Sequence, residues 1–130
     1  MRKETRAAVE TTTDSNTFRV KFLQSRTDAY PQAYAHMVDP LRSAVAAVLL
    51  DTRGAKVSAP ASALLEAGEA FAALFKSHNA ALVILIDESD PSGKIVGAGV
   101  LNAGARVLVT HDAHEAEEWL KAQSERSDAH

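Results

Sequence analysis

Two short, uninterrupted apolar runs, and a third that opens on Arg106, constrain this chain more than any other feature. Val45 to Leu50 and Leu82 to Ile86 carry no polar side chain, and Arg106 to Val109 follows the same pattern after its first residue. Runs this short and this continuous are what strands buried on both faces of a parallel sheet require. Between the first two lies the clearest helical stretch, Ala61 to His78. Leu64, Gly68, Phe71 and Phe75 recur there at i, i+4, i+7 and i+11, Leu65, Ala72 and Leu74 widen the stripe, and Glu66, Glu69 and Lys76 take the wet side. Strand and helix patterns alternating in this way predict an α/β fold, a mixed sheet with a parallel core flanked by helices. A length of 130 residues suits one domain.

The first part of the chain reads as an N-terminal β-hairpin. A strand is expected from Ala7 to Thr12, a polar turn at Asp14-Ser15-Asn16, and a second strand from Thr17 to Leu23. In the latter Phe18, Val20 and Phe22 alternate with Arg19 and Lys21, as in an edge or hairpin strand with one wet face. It is also the candidate edge for self-association into a homodimer. Asp28 to Asp39 predicts a helix with Tyr30, Tyr34, Met37, Val38 and Leu41 on one face. Pro31 is tolerable in its first turn, and Pro40 kinks or restarts it. Asn79 suits a left-handed stop after the long helix. Asp87 to Gly93 reads as a turn, and Lys94 to Ala103 as a helix ending at Gly104, with Gly97 and Gly99 packed closely on the sheet. Asp112-Ala113-His114-Glu115 has capping-box spacing and opens the last helix, whose buried stripe is Ala113, Ala116, Trp119 and Leu120. Residues 1–6 and 124–130 are polar and are expected to be disordered tails.

Composition narrows the function classes. Seventeen acidic against fourteen basic residues leave a formal charge of −3, and the Lys and Arg residues form no run, which argues against a nucleic-acid partner. With no cysteine there is neither a disulfide nor a thiolate metal site. The charged N-terminus leads into no apolar signal segment, and no apolar run approaches membrane-spanning length, so a cytoplasmic protein without membrane insertion is expected.

Ligands of α/β domains usually bind where parallel strands end. Three such ends are Asp51-Thr52-Arg53-Gly54, Asp87-Glu88-Ser89-Asp90 and Thr110-His111-Asp112. A receiver-type phosphoacceptor site needs an acidic pair and a suitably placed lysine, and neither is present, so these aspartates read first as turn and cap residues. His111 and His114 stand at i, i+3 rather than the i, i+4 of a helical zinc pair, and no metal is expected. Gly93-Lys94 lacks the remaining residues of a Walker loop, and Gly97-Ala98-Gly99 sits inside a helical stretch rather than at a dinucleotide-binding turn. His36 and His78 read as surface histidines. No nucleophile elbow or Ser-His-Asp context appears, and neither catalytic residues nor a cofactor are expected.

The segment from Lys56 to Ser62 enters the N-terminus of the long helix, where free N–H groups favour an anion. Pro60 suits the first turn, Ser58 suits the cap, and a phosphate on Ser58 or Ser62 would be well placed there.

The order of these elements resembles the STAS fold, the domain of anti-sigma-factor antagonists and of sulfate-transporter tails. The resemblance rests on Val48-Leu49-Leu50-Asp51-Thr52-Arg53-Gly54 with the amphipathic helix after it, and on Leu82-Val83-Ile84-Leu85-Ile86. The ending Val107-Leu108-Val109-Thr110-His111-Asp112, followed by Glu115-Ala116-Glu117-Glu118-Trp119-Leu120, is similar to that of small stand-alone STAS-like proteins. It covers the chain from about Thr17 onward. It implies a non-enzymatic bacterial signalling domain that docks on another protein under control of phosphorylation. The family's Asp-Ser or Asp-Thr step is absent from Ser58-Ala59-Pro60-Ala61-Ser62, which leaves Ser58 and Ser62 as the candidate acceptors. The partner-facing candidates are Asp51, Arg53, Lys56, Asp87 and Ser89. The alternative is a small-molecule or nucleotide-binding domain that uses the strand ends at Asp51, Arg53, Asp87 and Ser89.

Overall fold

The computed structural model describes residues 2–6, 9–14, 16–43 and 45–128. Six strands form one sheet in sequential order: β1 (Arg2–Arg6), β2 (Val9–Asp14), β3 (Thr17–Phe22), β4 (Ala47–Asp51), β5 (Ala81–Leu85) and β6 (Val107–Thr110). The first three are antiparallel and β3 through β6 are parallel. The α/β class, the mixed sheet and the N-terminal hairpin expected from the sequence are all present.

Sequential strand order decides the layering. Crossovers of one hand between adjacent parallel strands put their helices on the same face. Thus α1 (Ala29–Arg42), α2 (Ala61–Ser77) and α3 (Ser92–Asn102) share one side with Val48, Leu50, Leu82 and Ile84. The last helix, α4 (Ala113–Asp128), follows β6 and crosses to the other side. There Ala116 and Leu120 cover Ala47, Leu49, Val83 and Leu85. β5 is buried along its whole length, because helices lie on both of its faces.

Several expectations are corrected by this arrangement. Thr17–Phe22 is not an edge: it pairs with β2 on one side and β4 on the other. Its alternation arises because Arg19 and Lys21 lie on the α4 side of the sheet, level with Leu49 and Asp51, beyond the strands that α4 covers. The strand expected at Ala7 to Thr12 is β2, Val9–Asp14, and Ala7 and Ala8 lie outside the described residues. The expected tail at 1–6 instead contains β1, which has no apolar periodicity and is held by its ladder with β2. Likewise, α4 continues to Asp128 past the expected fraying point at Ser124.

α1 runs through Pro40 and stops two residues later, so the proline interrupts only the last turn. Asn79 does take a left-handed φ of 52° after α2, and Gly104 one of 89° after α3. Gly97 faces Val109 of the sheet as expected. Gly99 does not. It abuts α2, where an added Cβ would lie 2.9 Å from Leu65 O and 3.2 Å from Gly68 Cα.

Candidate functional site

The loops after β3, β4, β5 and β6 converge at the end of the sheet where parallel strands point. At that end the predicted site residues separate into distinct groups. Asp51 folds back on its own turn: Oδ1 accepts from the Arg53 backbone N–H and from Nε, both at 3.0 Å, and Oδ2 accepts from Nη2 at 3.0 Å. Between them Thr52 is fully buried and donates its N–H and hydroxyl to Leu85 O, tying the strand ends together. Asp51 and Arg53 open toward α4, into a cleft of ≈ 250 Å³ shared with Arg19, Lys21 and Glu117. A bidentate pair closes its far wall, with Arg19 Nη1 and Nη2 donating to Glu117 at 2.7 and 2.8 Å. Those hydrogen bonds, more than the Coulomb attraction, hold the Glu117 carboxyl below its ordinary range.

Asp87 and Ser89 belong to another turn. The Asp87 carboxylate accepts from Ser89 N–H at 3.2 Å and from its hydroxyl at 3.1 Å, and Lys56 adds a favourable charge. These partners lower its affinity for a proton, the backbone bond first. Lys56 is anchored through its backbone N–H to Ser25 Oγ at 2.9 Å, and its side chain is exposed. Asp112 caps α4, accepting from His114 and Glu115 N–H groups at 2.9 and 3.3 Å. Only half of the expected capping box forms, since Asp112 N–H donates to Thr110 Oγ1 rather than to Glu115. His111 and His114 do not converge. They pair with different acids, Glu88 at 2.9 Å and Glu118 at 3.8 Å. Among the described residues no group of three His, Cys, Asp or Glu side chains could hold a metal ion.

The helix start behaves differently from its sequence reading. Pro60 itself occupies the cap position of α2, with an extended backbone, and no side chain caps the helix. Ser58 is exposed and makes no cap bond, because the extended Ala59-Pro60 step carries it away from the first turn. Ser62 lies exposed in that turn, which has no acidic residue to occupy the free N–H groups. Its position is the more favourable of the two for an added phosphate.

Beside this helix start runs a groove that the sequence did not disclose. Tyr30, Pro31 and Tyr34 of α1 form one wall, and Ala63, Glu66, Ala67, Ala70 and Phe71 of α2 form the other, around an open, mostly apolar space of ≈ 390 Å³. Alanines at i, i+4 and i+7 leave the channel open where larger side chains would fill it. Tyr34 stacks on Phe71 with centroids 6.0 Å apart and an interplanar angle of 19°. The spacing of Ala63, Ala67 and Ala70 was visible in sequence. Their facing of α1 was not.

Tyr30 of the α1 wall is fully buried. Its hydroxyl lies 3.0 Å from Ser92 Oγ, which in turn donates to Asp90 Oδ2 at 3.1 Å, so the phenol is the donor to Ser92. Burial, opposed by the Ser92 bond and aided by the Asp90 charge, raises the phenol far above its ordinary value. The neutral form is therefore favoured by folding. That contribution is complete below about pH 10, the ordinary tyrosine value, and is lost as pH climbs beyond it. Chemical denaturation of wild type across pH 8 to 11.5 is expected to show an alkaline loss of stability that Tyr30→Phe largely removes. Equal losses in both proteins would contradict the assignment.

A scan against protein-family models finds no match, and a search of curated proteins finds none either. Among the described residues no helix is long and apolar enough to cross a membrane.

Proposed function

We propose that this chain is a non-enzymatic, STAS-like protein-interaction module of the anti-sigma-factor-antagonist type. It docks on a partner protein through the loop from Lys56 to Ser62 and the adjoining α1–α2 groove. The observation that carries this reading is the position of the groove: an apolar channel opens beside a helix N-terminus that has no side-chain cap and presents Ser62. Apolar channels flanked by aromatic side chains suit the anchor residues of a partner. A phosphate on Ser62 would add negative charge at the rim and change which partner fits. The hairpin leading into a parallel sheet, with this loop after β4, supports the family resemblance. The strand-end acids support a non-catalytic role, since Asp51, Asp87 and Asp112 direct their oxygens to their own turns.

The test compares proteins recovered with wild type and with Ala67→Arg from the native cells, at matched expression and with melting curves for both. A stoichiometric partner that the variant retains at a tenth or less of the wild-type amount is the expected result. An unchanged set of partners, or none with wild type, overturns the docking reading. The cleft beside Asp51 and Arg53 favours one second reading, a small charged ligand held between Arg19, Lys21 and Arg53. A thermal-shift series with nucleotides and small acids separates the two: stabilisation lost in Arg53→Ala would favour the ligand.

A further inference from the structure

The sheet divides the core into two clusters that share no residue. The larger lies under α1, α2 and α3. The smaller holds Ala47, Leu49, Val83 and Leu85 of the sheet under Ala116 and Leu120 of α4. Clusters on opposite faces need not be lost together, and a region with few apolar contacts opens at lower cost than the whole fold.

The hold on α4 is slight for its length. Over seventeen residues α2 buries Leu64, Gly68, Phe71, Ala72, Leu74 and Phe75. With sixteen residues, α4 seats Ala116 and Leu120 on the sheet, and Trp119 is half-buried beside them. Its ion pair to β3 joins Arg19 and Glu117 side chains that are 30% and 51% exposed, and pairs so open to water contribute little. Further along, Arg106 Nη1 donates to Gln123 Oε1 at 2.9 Å, a bond that water can replace. Connectivity sets α4 apart as well. Each of α1, α2 and α3 runs between two strands of the sheet, so none moves away without dragging a strand. α4 is joined to β6 through His111 and Asp112, and no described strand follows it.

We infer that α4 is a hinged cover, which opens as a unit about the His111-Asp112 step while the sheet and α1 to α3 stay folded. His111 pairs with Glu88 of the loop after β5 at 2.9 Å and remains with the sheet. Asp112 caps the helix and travels with it. Opening does two things in one movement. It uncovers the apolar strip of Ala47, Leu49, Val83 and Leu85, and it takes Ala113 and Glu117 out of the cleft beside Asp51 and Arg53. Closure of the cover and completion of that cleft are one event. The inference does not rest on the docking reading, whose groove lies on the other face of the sheet.

Thiol labelling of the folded protein tests it. The chain has no cysteine, so a single introduced thiol reports its own exposure. Val83 and Val48 stand on neighbouring strands and are both fully buried, Val83 under α4 and Val48 on the opposite face. Val83→Cys and Val48→Cys are therefore a matched pair. With dilute reagent and no denaturant, labelling follows the population of the open form. Urea denaturation of each variant corrects the rates for any difference in global stability. The thiol at position 83 is expected to react about a hundredfold faster than that at 48, or more. Phe75→Leu, in the larger cluster, weakens only contacts that persist when α4 opens. It is expected to speed labelling at position 48 about tenfold and to leave position 83 unchanged. Equal corrected rates at the two positions overturn the inference. So does a Phe75→Leu effect of the same size at both, since α4 would then open only when the whole chain unfolds.

Discussion

Gly68→Leu is expected to destabilise the fold by more than about 3 kcal/mol, lowering the melting temperature by roughly 10 °C or more. The reason is the closeness of α2 and α3. A Cβ at position 68 would run into Val96 O and would lie 2.9 Å from Gly99 Cα and 3.0 Å from Val100 N. All three are backbone atoms, so no rotamer change relieves the collision and one helix must move. Intrinsic helix propensity works the other way, favouring alanine over glycine by about 1 kcal/mol in a helix interior. Gly68→Ala decides between the two effects. Packing is expected to win, with a net loss of about 2 kcal/mol in urea denaturation. A stabilised alanine variant would show that the helices have room to separate.

Asp90→Ala is expected to lose about 2 to 4 kcal/mol, far more than its place in a turn would suggest. Asp90 is 4% exposed, and its two oxygens accept from Ser92 N–H and Ser92 Oγ at 3.0 and 3.1 Å. Alanine leaves both buried donors without their acceptor. Asp90→Asn keeps one acceptor oxygen and is expected to fall between alanine and wild type. Because Tyr30 joins the same chain through Ser92, the effects of Asp90→Ala and Tyr30→Phe are not expected to add. A coupling of at least about 0.5 kcal/mol in a double-mutant cycle is the signature of one network. A loss below about 1 kcal/mol for Asp90→Ala, or simple additivity, would contradict it.

The same network shows where sequence reading stops. The sequence places Asp90, Pro91 and Ser92 in a turn running to Gly93, whereas α3 starts at Ser92. The turn reading was reasonable locally. Only Tyr30, sixty-two residues upstream, makes Ser92 a buried hydroxyl. The candidate residues at the strand ends show a related limit. Asp51 is the last residue of β4 rather than part of the loop after it, and whether it faces Asp87 or its own Arg53 depends on short-range geometry that periodicity does not encode.

Sequence alone determined the features that depend on period and composition. Continuous apolar runs of Val, Leu and Ile required strands covered on both faces, and the i, i+4, i+7 stripe of α2 required a helix over them. Asn79 and Gly104 marked helix ends because a left-handed backbone favours those residue types. Tertiary structure alone decided which strands became edges, since pairing is a relation between distant segments. It made Thr17–Phe22 an interior strand and turned the charged start of the chain into β1. It also set α1 beside α2, so that Ala63, Ala67 and Ala70 border an open channel instead of filling a core. Small side chains permit close packing and open grooves equally, and the neighbouring element determines which one forms.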